Sequence, residues 1–201
     1  NGLVTFFGLG AIAIAIATVF STGMIYACLK TIRQWNTALT PANYLILGFA
    51  TGSVLLVMIL AFAGKTVTTS ASIAIALLAL GAIVKTIYYF WIKTVTGPSI
   101  NTATGFTRAK VRLLDTGHSA GTFLTDEFGY QAPNPLLQSI RIAVFVLGFI
   151  IPMLLLGFIV GGFSSGLIAL IASGIMFTGI GAVRWLFFAE ARNVVNLFHG
   201  A

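Results

Sequence analysis

Five long apolar runs, separated by short polar connections and one long one, dominate this sequence. The first runs from about Phe6 to Leu29 and the second from about Asn43 to Ala63, entered through Thr40-Pro41, a favourable helix start. The third runs from about Ser70 to Ile92 and closes on the aromatic group Tyr88, Tyr89, Phe90 and Trp91. The fourth runs from about Ile140 to Val160 with Pro152 inside it, and the fifth from about Gly166 to Phe188, with helix expected to continue toward Leu197. A helix rises about 1.5 Å per residue, so each run crosses a hydrocarbon layer of about 30 Å. The alternation in AIAIAIA does not indicate a membrane strand, which needs only about 10 residues, half the length of this run. The fold expected is an all-α integral membrane protein, a single domain of about five transmembrane helices with one long loop over residues 94–139.

Composition agrees with that pattern. The chain has 201 residues, 58% of them hydrophobic and 7% charged, where soluble domains carry roughly 25% charged residues. The net charge of +7 does not indicate nucleic-acid binding, because the cations sit mostly at the ends of apolar runs, where topology signals lie. Lys30, Arg33, Lys93, Arg108, Lys110, Arg112, Arg141 and Arg192 fall on one side of a chain that crosses five times; Lys65 falls on the other. The positive-inside rule places the N-terminus outside a bacterial inner membrane and the long loop and C-terminus in the cytoplasm. The chain starts at Asn1 without a short charged-then-apolar leader, so no signal peptide is expected.

The short connections Lys30–Ala42, Gly64–Thr69 and Gly161–Ser165 make adjacent spans antiparallel neighbours. Gly48 with Gly52, and Gly174 with Thr178, are candidate close-packing steps. Pro152 is a candidate kink. The long loop carries Asp115, Asp126 and Glu127 together with Phe106, Val111, Leu113, Leu114, Phe123, Leu124, Phe128 and Tyr130. A merely solvated linker does not need those apolar side chains, so the loop is expected to pack on the bundle or on a partner.

Few groups in the spans can do chemistry. His118 lies in the loop and His199 near the C-terminus, so haem ligation by this chain alone is disfavoured. No span offers two metal ligands one turn apart. The single cysteine, Cys28, forms neither an internal disulfide nor a CxxC site. Asp115, His118 and Ser119 are adjacent in sequence, which is not triad geometry. No catalytic or metal-binding residue is therefore assigned.

Two cations lie inside apolar runs. Lys85 stands about 12 Å of helix from Lys93 and shares a face with Gly81, Tyr88 and Tyr89. It is read either as a cation lining a polar cavity, donating to a quinone oxygen, or as a lysine snorkelling to the headgroups. Arg184 lies near the end of the fifth run beside Trp185, Phe187 and Phe188. Its expected partners are a loop carbonyl, a lipid phosphate or one of the loop acids, and Trp185 is by default an interfacial anchor.

The segments MIYACLKTIRQW, LTPANYLILGFATG, VRLLDTGHSAGTFLTDEFGY and RWLFFAEARNVVNLFHG together resemble the membrane-anchor subunits of dimethyl-sulfoxide-reductase-type molybdoenzymes, with the sulfite dehydrogenase anchors the nearest branch. The resemblance runs from about Gly8 to Gly200. It implies an eight-helix anchor of which this chain corresponds to the later part, with no cofactor bound by the chain alone. It also implies docking of an iron–sulfur subunit and a molybdopterin catalytic subunit, and exchange of electrons with quinone or quinol. On that basis the quinone-site candidates are Lys85, Tyr89, Arg184 and Trp185. The partner-docking candidates are Arg108, Lys110, Arg112, Asp115 and His118. Two departures stand out. The earlier family helix carrying a histidine linked to quinol binding has no counterpart here, and Val183 stands where the family often has an acid before RW. The competing functions are a small transporter or permease, for which no internal repeat speaks, and a purely structural anchor.

Overall fold

The computed structural model describes residues 2–95, 97, 99–106, 108–115, 132–163 and 165–194. Among these the fold is helical, with five helices long and apolar enough to span a membrane. They are α1 (Gly2–Ala27), α2 (Leu39–Phe62), α3 (Thr68–Thr94), α5 (Asn134–Val160) and α6 (Ser165–Ala189). A short α4 (Ile100–Thr104) lies in the long loop. The five expected spans are therefore present, with edges displaced by a few residues, outward at every start and inward at the ends of α1 and α2. The largest displacement is in α5, whose first six residues come from the end of the loop.

The two turns on the Lys65 side share one design. Gly64 and Gly162 have φ of 66° and 93°, a region in which a Cβ is strained. After α2, the Gly64 amide donates to the Ala61 carbonyl and the Lys65 amide to that of Leu60. After α5, the Gly162 amide donates to Ile159 and the Phe163 amide to Phe158. Both are Schellman closures, and after α5 the Phe158 and Phe163 rings meet edge-on at 5.8 Å, the apolar contact such closures favour.

The expected kink at Pro152 takes a specific form. Residues Val146–Ile150 make a π turn, in which the Ile151 amide donates five residues back to Val146. Proline has no amide hydrogen, and its ring crowds the carbonyl four residues earlier, here that of Gly148. A widened turn just before Pro152 accommodates both constraints.

The core is built by α2, α3, α5 and α6 around Val54, Val57, Leu78, Val144, Phe149, Leu156, Met176 and Leu186. The close crossing is not at the expected glycine steps. A Cβ at Gly52 or Gly174 would meet nothing within 4 Å, and one at Gly48 would touch only Val19 at an ordinary 3.7 Å. It is at Gly148 on α5 and Gly179 on α6, where a Cβ on Gly179 would stand 2.2 Å from the Gly148 amide nitrogen. Gly23 plays the same part where α1 meets Pro41 of α2. Most of α1 is exposed, with Gly23 its only buried residue and Val19, Met24, Tyr26 and Ala27 half-buried.

The helix expected to run on toward Leu197 stops at Ala189. The chain then turns back so that Asn193 bridges antiparallel to Ile32 in the α1–α2 connection, and the Val194 amide donates to the Thr31 carbonyl. Trp35, from the same connection, stacks on Phe187 at 5.0 Å and donates its indole N–H to the Phe187 carbonyl at 2.9 Å. That carbonyl belongs to the last turn of α6, whose acceptors have no continuing helix to satisfy them. Residues 28–38 thus form a strap that ends α6.

Candidate functional site

A small cavity opens at the basic end of the bundle, between α2, α3 and α6 and beneath the strap. Its walls are Thr40, Asn43, Tyr44 and Leu47 of α2, Lys85 and Tyr88 of α3, and Val183, Arg184 and Phe187 of α6. Its volume of about 20 Å³ suits one water. Arg184 is the exposed member of this set; the others are buried or half-buried.

Local structure explains how the walls are held. Thr40 donates its hydroxyl to the Trp35 carbonyl at 2.7 Å, tying the first turn of α2 to the strap. The Tyr88 hydroxyl donates to the Gln34 carbonyl at 3.2 Å, tying α3 to the same strap. Asn43 donates back to the Leu39 carbonyl at 2.7 Å, which leaves its Oδ1 buried and without a hydrogen-bond partner among the described residues. Tyr26, Trp35, Tyr44, Phe187 and Phe188 form a continuous ring cluster behind the cavity.

Lys85 does not snorkel. It is 3% exposed, and its Nζ lies 4.6 Å from the centre of the Tyr88 ring and 4.7 Å from that of Tyr89. Insertion scales put a lysine at mid-membrane at a cost of about 2.5–3.5 kcal/mol, and a desolvated cation–ring contact offsets about 2 kcal/mol of such a cost. The two rings therefore make the ammonium tolerable without accepting conventional hydrogen bonds from it. Among the described residues its N–H donors have no acceptor.

Among the described residues no hydrogen bond or ion pair joins Arg184 to a loop carbonyl or to Asp115, and Asp126 and Glu127 lie outside those residues. The Arg184 guanidinium lies over the Tyr44 ring, 3.9 Å from the centroid. The acid that sequence left unassigned is the informative one. Glu190, just past α6, ion-pairs with Arg141 of α5, whose Nε donates to Oε1 at 2.7 Å. Arg141 also lies 5.6 Å from the Tyr89 ring centre. A polar seam thus runs from the cavity wall through two tyrosines to an ion pair.

The four quinone-site candidates separate. Lys85 and Arg184 line the cavity. Tyr89 stands behind Lys85, with its hydroxyl buried and unpartnered among the described residues. Trp185 is 38% exposed and outside the cavity. Asn43 and Tyr44, which sequence did not single out, belong to the wall; only the polarity of Asn43 at the start of an apolar run hinted at this.

Of the docking candidates, Arg108, Lys110, Arg112 and Asp115 are exposed, with Arg112 between the half-buried Val111 and Leu113. The nearby Phe106 and Leu114 are exposed too, the latter at 88%, so these two do not pack on the bundle. His118, Asp126, Glu127, Phe123, Leu124, Phe128, Tyr130 and His199 lie outside the described residues. Among the described residues no group of three or more His, Cys, Asp or Glu side chains could hold a metal.

The fold and the cavity together define a polytopic helical membrane protein with a polar site at its basic end. The family described as DMSO reductase anchor subunit (DmsC) matches residues 1–189, and the chain belongs to that family. It is similar to the C subunit of the sulfite dehydrogenase of Allochromatium vinosum, 33% identical over 195 residues, covering 95% of this chain and 59% of that protein. The chain thus spans about three fifths of the length of that relative. No solved structure matches it.

Proposed function

We propose that this chain is the membrane-anchor subunit of a molybdopterin oxidoreductase complex. In this reading it docks an iron–sulfur subunit at a bacterial inner membrane, with the long loop and C-terminus cytoplasmic, and exchanges electrons with the quinone pool. Membership of the anchor family supports the first part. Similarity to the sulfite dehydrogenase protein favours that branch. Iron–sulfur clusters and molybdopterin, held by the partner subunits, supply the redox chemistry.

The observation that carries the quinone reading is the buried Lys85 lining a cavity whose wall also includes Asn43, the Oδ1 of which is buried without a hydrogen-bond partner among the described residues. A quinone oxygen accepts hydrogen bonds when oxidised and donates one when reduced. Lys85 supplies a donor and Asn43 an acceptor, so the wall has a partner for either form. The enclosed volume is too small for a quinone ring. Arg184, the one exposed member of the wall, rests on Tyr44 through a cation–ring contact of about 0.5–1 kcal/mol at an exposed site. Its displacement opens the wall at modest cost.

In the purified complex, Lys85→Leu is expected to lower turnover with a quinone analogue by about tenfold, equivalent to about 1.4 kcal/mol. Turnover with a soluble dye, which takes electrons from the partner subunits directly, should stay intact. Equal quinone turnover in wild type and variant would remove Lys85 from the site and favour a purely structural anchor.

A further inference from the structure

The bridge between the strap and the C-terminal segment places two cations in an unusual relation. Ile32 and Asn193 are its paired residues, and the flanking hydrogen bond runs from the Val194 amide to the Thr31 carbonyl. Ile32 and Asn193 are therefore a non-hydrogen-bonded pair, and Arg33 and Arg192, the next residue on each side, stand opposite each other. Ile32 is buried at 3%, while Arg33 and Arg192 are both exposed. Like charges directly opposite on neighbouring strands repel. Among the described residues neither has an ion-pair partner, since the one such pair is Arg141 with Glu190.

The surface beneath this pair is apolar. Near Gly23, α1 leans on α2, and α6 also packs on α2. At the basic end Tyr26 of α1 reaches the Phe187 and Phe188 rings of α6, at 5.2 and 5.8 Å. Phe188 is half exposed, as is Phe20 further along α1. The result is an apolar surface shared by α1 and α6, next to the strap that carries Arg33 and the C-terminal segment that carries Arg192.

We propose that Arg33 and Arg192 clamp the phosphate of an anionic phospholipid whose acyl chains lie along the exposed apolar surface of α1 and α6. A phosphate oxygen pair accepts from two guanidinium forks at once, and an anion between them turns mutual repulsion into two attractions. The placement at the ends of two spans sets the clamp at headgroup level, where juxtamembrane cations meet anionic lipid. This site is separate from the cavity at Lys85, and its occupancy does not depend on quinone chemistry.

The test uses the full chain purified in a neutral detergent and titrated separately with phosphatidylglycerol, phosphatidylcholine and inorganic phosphate. Bound lipid is read by native mass spectrometry and stability by thermal unfolding. Wild type is expected to retain phosphatidylglycerol and to unfold at higher temperature with it, while phosphatidylcholine and inorganic phosphate do neither. Arg33→Gln with Arg192→Gln should weaken phosphatidylglycerol retention by at least about tenfold. The double lysine variant, Arg33→Lys with Arg192→Lys, keeps charge and bridge but loses the planar forks, and should fall between the two. Lys65→Gln, on the opposite side, should retain lipid as wild type does. Equal retention by wild type and the double glutamine variant overturns the clamp. Equal stabilisation by inorganic phosphate overturns the lipid assignment. Should the iron–sulfur partner, and not phosphatidylglycerol, protect both arginines from phenylglyoxal, the surface belongs to that partner and the proposal fails.

Discussion

At the scale of single residues, close approach is set by which glycine faces a backbone. Gly179 and Gly148 touch main chain to main chain, and neither can yield without separating α5 from α6. Gly179→Ala is therefore expected to destabilise the bundle by about 1–3 kcal/mol, the usual cost of overpacking a tight contact. Gly52→Ala, which meets open space, should be nearly neutral. Thermal unfolding of the two variants in detergent compares them directly, and equal midpoints would show that the crossing has slack. Sequence offered both kinds of glycine without distinguishing them, because spacing along one helix does not reveal which face meets a neighbour. The same limit hid the pairing of Glu190 with Arg141, residues 49 positions apart. Lys85 was visible as an ionisable residue inside an apolar run. That it is buried between two tyrosines follows from the packing of α3 against its neighbours.

At the scale of elements, the five spans were legible because a run of about twenty or more apolar residues has few alternatives. Their ends were less so. The fifth helix stops short of its sequence expectation because the strap competes for the chain beyond Ala189, and that competition is tertiary. Trp35 is the pin: it stacks on Phe187, meets Tyr26 and Phe188 edge-on, and satisfies a terminal carbonyl of α6. Trp35→Ala should cost about 3–5 kcal/mol and release the strap together with residues 190–194. Hydrogen exchange would show amides of 28–38 and 190–194 gaining exchange in concert. If only one segment loosened, the two would not form a single unit. The π turn before Pro152 is a milder case, in which sequence located the disturbance but not its form.

At the scale of the whole molecule, charge is segregated. Eight of the eleven cations lie in the connections and helix ends of one side, and the cavity, the ion pair and the strap gather at that same end. The described first part of the loop between α3 and α5, residues 99–106 and 108–115, adds a largely exposed surface there. Asn101 organises this part. Its side-chain amide donates to the Phe106 carbonyl at 3.1 Å and to that of Ala109, and its Oδ1 accepts from the Val111 amide at 3.3 Å. That hub fixes a segment on which Arg108, Lys110 and Arg112 stand within five residues, flanked by the exposed apolar Phe106 and Leu114. Cations beside exposed apolar side chains suit a partner with acidic and apolar patches better than they suit water. Reversing all three cations to glutamate should slow assembly with the iron–sulfur subunit and weaken it by about tenfold or more, an effect that grows as ionic strength falls. Asn101→Ala, which keeps every charge but frees the segment, should weaken assembly less and with little salt dependence. Co-purification across a salt series separates the two. Undiminished assembly by the triple variant at low salt would place the docking surface elsewhere on this end of the bundle, and the strap with the C-terminal segment bridged to it would then be the next surface to test.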